Sequence, residues 1–156
     1  MGISSEGRKV FKRFCLIGFG IPTVLLIFIA VLYLSPWALA TRDALKATLN
    51  IAAGCLAAAG LLIWAFFSFL LYRRLWKAFP YIPEKEKGWS FAEGSFGLVA
   101  VGASMPSVLG VFYYLFTGDF SRGALIIASS FVLGLIEAAR FPTRIDEVEQ
   151  IILGME

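Results

Sequence analysis

The chain contains no histidine and only two cysteines, and several long stretches carry no ionisable side chain. Without histidine the commonest proton shuttle, haem ligand and metal ligand is missing. Two cysteines cannot hold an iron–sulfur cluster. Nor do they read as a disulfide: Cys15 falls at the end of one apolar stretch and Cys55 well inside the next. At 1.5 Å of rise per residue their depths differ by roughly 10 Å, beyond the bridging limit of about 7 Å between Cα atoms. No carboxylate spacing matches a metal loop, and no glycine-rich turn is placed to cradle a phosphate. No basic face with interleaved aromatics exists to suit nucleic acid. These absences predict a protein that is not an enzyme, with no cofactor, no metal and no nucleic-acid partner.

What the chain has is apolar length. Of its 156 residues 59% are hydrophobic and only 16% charged, too few polar groups to coat a soluble core of this size. No Asp, Glu, Lys or Arg lies between Arg13 and Arg42, between Lys46 and Arg73, or between Glu93 and Asp119. A bilayer core about 30 Å thick needs about 20 apolar residues in a helix, and each window exceeds that. A fourth window is shorter, because Arg122 to Arg140 encloses 17 residues and Glu137 among them. Arginine stems that snorkel make that length sufficient. The predicted fold is all-α, an integral membrane four-helix bundle with spans at about 14–38, 46–72, 93–117 and 122–140. The first span is too long for a cleaved signal, whose apolar region runs about 7–15 residues.

Basic residues set the predicted orientation. Four stand in the N-terminal tail, five between spans two and three, and two beyond the fourth span, so 11 of the 14 share one side. By the positive-inside rule both termini are cytoplasmic. Aromatics cluster at the span ends, with Tyr33, Trp37, Tyr113, Tyr114 and Phe120 on one side and Tyr72, Trp76, Tyr81 and Trp89 on the other, as at membrane interfaces. A bacterial plasma (inner) membrane suits so compact a chain, and membrane lipids are its first expected partners.

Small residues recur at the spacing that lets helices approach closely in lipid. Span two has Asn50, Gly54 and Ala58, span three has Gly97, Ala100, Ser104, Ser107 and Gly110, and span four has Ser130, Gly134 and Ala138. Spans one and three also share a glycine four residues before a proline: Gly18 with Pro22, and Gly102 with Pro106. Proline leaves the carbonyl of residue i−4 without its donor and strains the helix there, so these four residues are the predicted hinges of two kinked helices. A following Thr23 or Ser107 is placed to bond the disturbed backbone. The repeated pattern raises an internal duplication, with Ser68, Phe69 and Leu71 echoed by Ser130, Phe131 and Leu133.

Glu137 is the costliest side chain in the sequence, since an unpaired charge at the centre of a span costs about 2.5–3.5 kcal/mol. Arg140 stands one turn on, and Arg73 and Arg74 end span two at the same depth. With Glu93 at the mouth of span three they make a candidate inner-face charge cluster of Glu137, Arg73, Arg74, Glu93 and Arg140. After Pro142 the sequence predicts a separate short amphipathic helix over 143–156, with Ile145, Val148 and Ile152 on one face. The expected function is a non-catalytic interaction or accessory subunit of a membrane complex, partnered by another membrane protein or by itself as a homo-oligomer. The alternative is an oligomeric channel or transporter for a small or lipid-like solute.

Overall fold

The computed structural model describes residues 4–35, 46–71, 73, 77, 81–82 and 84–154. Four helices fill them. Helix α1 spans Ser5–Leu34; α2 spans Lys46–Ala65 and runs on into a π-helical segment, Phe66–Leu71. Helix α3 spans Lys85–Thr117 and α4 spans Phe120–Leu153. All four are long and apolar enough to cross a membrane, and among the described residues there is no strand. The all-α class read from the sequence is therefore borne out, and the four long apolar helices are compatible with a membrane bundle.

The helices overrun the bilayer. Thirty residues in α1, 33 in α3 and 34 in α4 make rods of about 45–50 Å at 1.5 Å per residue, against a hydrocarbon core of about 30 Å. Where the sequence places the start of span three at about 93, α3 already begins at Lys85. Where it suggests a break at Pro142, α4 continues without one to Leu153. The helix expected over 143–156 is thus the far end of the fourth span. Its Ile145, Val148 and Ile152 are buried against Val10, Phe14, Ala92 and Phe96 of α1 and α3, which tells why the helix persists. Pro142 itself points outward and is exposed, while the apolar face it would have interrupted is packed.

Helix α3 is the axis of the bundle. In its most apolar stretch 61% of residues are buried, against 17% in α1 and 11% in α2. It lies against all three other helices, most extensively α4, whereas α1 and α2 have at most a marginal contact with each other. Small residues make this possible: Ala100, Ala103, Ser104, Ser107 and Gly110 are all buried along α3. At the closest crossing a methyl group placed on Gly110 would stand 2.7 Å from the Gly123 carbonyl oxygen, and one on Gly123 would stand 3.1 Å from that of Gly110. Gly97, expected on the same seam, has nothing within 4 Å. In span two, Asn50, Gly54 and Ala58 are exposed; the packing glycine there is Gly60, which sits on the ring of Pro106.

Large apolar side chains cover the outside, among them Leu16, Val24 and Val31 of α1, Leu62 of α2 and Leu125 and Val132 of α4. Such a belt is a liability in water and a lipid-facing surface in a membrane. Of the aromatics assigned to the interfaces, Tyr33 is half exposed and stacks on Phe120 with ring centres 4.6 Å apart. Tyr113 and Tyr114 are instead fully buried between helices. Trp37, Tyr72 and Trp76 lie outside the described residues.

The turn between α3 and α4 is compact. Gly118 caps α3 with a positive φ of 71°, the left-handed conformation that glycine adopts without a Cβ penalty. Asp119 then caps α4, its Oδ1 accepting from the Arg122 backbone N–H at 3.1 Å. At the opposite end of the bundle the start of α1 meets the last turns of α4, with the Ser4 hydroxyl donating to Glu149 Oε1 at 2.6 Å.

Candidate functional site: a buried carboxylate clasp

Glu137 is 2% exposed. It projects from α4 toward the π-helical end of α2 and toward the overrunning last turns of its own helix. Among the described residues three groups meet it. The Ser68 hydroxyl donates a short hydrogen bond to Oε1. Arg144 Nη1 donates to Oε2 at 2.6 Å, and Arg140 Nη1 reaches Oε1 at 3.5 Å. Seven residues separate Glu137 from Arg144, which is 20° short of two full turns, so both lie on one face. Helical side chains lean toward the N-terminus, and Arg144 therefore reaches back along the face to the carboxylate.

The π-helical segment explains how α2 takes part. A π-turn inserts an extra residue into the hydrogen-bonded ring and shifts the register of the side chains beyond it; such turns are frequent at functional sites. Here Ser68 is turned inward and 1% exposed. Phe67 is laid over Gly102, where a Cβ would meet the Phe67 Cβ at 2.7 Å. Phe69 lies beneath Arg140, whose guanidinium carbon is 5.5 Å from the ring centre, within reach of a cation–π contact. One short segment thus supplies a hydroxyl to the carboxylate, a ring to its neighbouring arginine and a wedge to α3.

The five residues expected as a single inner-face cluster divide. Glu137 and Arg140 are together. Glu93 belongs to a different contact, an ion pair with Arg13 across the α1–α3 interface. Arg73 is exposed, and Arg74 lies outside the described residues. Ser68 and Arg144 are the partners that sequence reasoning missed. The seven-residue spacing was available as a signal for Arg144; nothing in the sequence announces the π-turn that delivers Ser68.

The candidate hinges occupy packed positions. Pro22 and Pro106 sit inside unbroken helices, and Gly18, Gly102 and both prolines are buried. The hydroxyls expected to relieve the prolines bond other carbonyls: Thr23 donates to the Phe19 oxygen at 2.7 Å, and Ser107 to that of Ser104. The Gly18 carbonyl, deprived of its helical donor by Pro22, faces α4 instead, 3.5 Å from where a Cβ on Gly134 would be.

Chemically, the clasp is a carboxylate with its lone pairs committed to a hydroxyl and two guanidinium groups. That arrangement suits holding three segments in register. Cys15 and Cys55 are free thiols, and among the described residues no group of three or more cysteine or acidic side chains could hold a metal ion. Comparison with known protein families, curated proteins and solved structures finds no match for this chain.

Proposed function

We propose that this chain is a non-catalytic subunit of a membrane assembly, docking through its first helix on a partner membrane protein or on copies of itself. The observation that carries this reading is a shallow apolar groove on the outer side of α1. Leu16, Gly20, Ile21, Val24 and Leu25 line it, around a cavity of about 470 Å³. Gly20 forms its floor with nothing within 4 Å of a would-be Cβ. In lipid, helices associate through close backbone approach at small residues flanked by apolar ridges, and this glycine meets no helix of its own bundle.

In the same reading both termini lie on the cytoplasmic side of a bacterial plasma membrane. The one-sided distribution of basic residues supports it, as does the contact of the start of α1 with the end of α4 through Ser4 and Glu149. Bends at Pro22 and Pro106 belong to this reading too, curving α1 and α3 where glycine gives room.

The test is Gly20→Leu, with the assembly state read by native mass spectrometry after gentle extraction. Because Gly20 touches nothing in the bundle, the variant should fold as the parent does. Loss of a co-purifying partner or second copy supports the docking role, and an unchanged assembly refutes it. A closed ring of identical chains that conducts solute in vesicles would instead establish the channel alternative.

A further inference from the structure

A second recess lies where α2 and α4 face each other near the start of α4. Between them lies a notch of about 250 Å³ lined by Ala53, Gly54 and Ala57 of α2 and by Leu125, Ile126 and Ser129 of α4, with Arg122 closing its upper end. The walls are apolar or small, and nothing lies within 4 Å of a Cβ placed on Gly54. Ser129 adds no free donor, because its hydroxyl bonds the Ile126 carbonyl at 2.6 Å. The polarity of the notch is therefore concentrated at Arg122.

That arginine is held in place. Its guanidinium pairs with Asp119 through Nη1 and lies beside Tyr113, and Asp119 and Tyr113 are themselves buried. The Arg122 side chain remains 35% exposed. A guanidinium carries five N–H donors in a rigid fork suited to phosphate oxygens, so the Asp119 contact orients the group without consuming it. The ordering entropy of a long side chain, usually lost on binding, is already spent in the free protein.

From the charged rim and the apolar cleft beneath it we infer that the notch between α2 and α4 binds one membrane phospholipid, its phosphodiester on Arg122 and an acyl chain between Ala57 and Leu125. The position of Arg122, three residues into a membrane-crossing helix, matches the depth at which headgroup phosphate meets hydrocarbon. The width set by alanine and glycine admits a chain; a whole helix, about 10 Å across, is too wide for a cleft of this volume. The site stands apart from the α1 docking surface and does not depend on that reading.

The test is native mass spectrometry of the full chain released from nanodiscs of phosphatidylglycerol. The parent should retain one phosphatidylglycerol per chain after annular lipid is stripped. Ala57→Leu fills the cleft and leaves the Asp119–Arg122 pair untouched, so it decides the question even if an arginine variant folds poorly. It should lower retention by about tenfold, and Arg122→Gln by a similar factor, the size expected for one charge-assisted hydrogen bond. Retention undiminished in Ala57→Leu, or no lipid retained by the parent, overturns the inference. So does a second chain, rather than lipid, lost on Ala57→Leu.

Discussion

Replacing Arg144 by glutamine is the sharpest probe of the carboxylate clasp. Arg144 stands 2.6 Å from Glu137, its side chain 16% exposed, whereas Arg140 stands 3.5 Å away and is 41% exposed. Removing one partner of a buried ion pair costs about 3–5 kcal/mol. Because Ser68 and Arg140 remain, Arg144→Gln should sit near the lower end, at about 3 kcal/mol. Arg140→Gln should cost only about 0.5–1 kcal/mol, since a partly hydrated pair is weak even with a ring beneath it. Ser68→Ala removes one hydrogen bond to a charged group; interhelical bonds in membranes average only about 0.6 kcal/mol, so a loss near 1 kcal/mol is expected. The double variant Glu137→Leu with Arg144→Leu removes both charges and should recover at least half of the loss, because an apolar pair of similar volume often matches a buried ion pair. Reversible unfolding in mixed micelles, followed by tryptophan fluorescence, gives all of these values. The reasoning fails if Arg140→Gln costs as much as Arg144→Gln, or if the double variant is no more stable than Arg144→Gln alone.

The same unfolding assay separates two glycines of α3. Gly110→Ala drives a methyl group to 2.7 Å from the Gly123 carbonyl oxygen and should cost about 1–3 kcal/mol, while Gly97→Ala meets nothing within 4 Å and should be neutral or stabilising by up to about 1 kcal/mol. Gly118→Ala forces a Cβ into the left-handed region at the α3–α4 turn and should destabilise by about 1–2 kcal/mol; an unchanged midpoint would count against the strained-turn assignment.

Long-range features of this fold were legible where one physical quantity dominates. Windows with at most one charge located all four helices, because burying an ionised side chain in hydrocarbon is the largest local cost in the chain. The same cost drew attention to Glu137. Its partners were hidden for two separate reasons. Treating Pro142 as a helix end placed Arg144 in another element, although a proline on an exposed face removes only one hydrogen bond from a helix that packing holds on its other side. Ser68 depends on a change of helical register, which composition does not encode. Tyr113 and Tyr114 were misplaced because aromatic residues near a span end suit either the interface or a close-packed turn. Small-residue seams were half right: they mark where a helix can be approached, and only the tertiary arrangement decides whether a neighbour comes, as at Gly110, or stays away, as at Gly54.

The near absence of contact between α1 and α2 has a consequence for how the chain is made. Synthesis proceeds from the N-terminus, so the first two helices enter the bilayer with almost nothing to say to each other; each waits for α3, which both need as a seat. Ser68 precedes the carboxylate it serves by 69 positions, and Glu137 emerges before Arg144. A chain cut short before Arg144 would bury an acid without its closest counter-charge, a fault displayed to the cell's proteases.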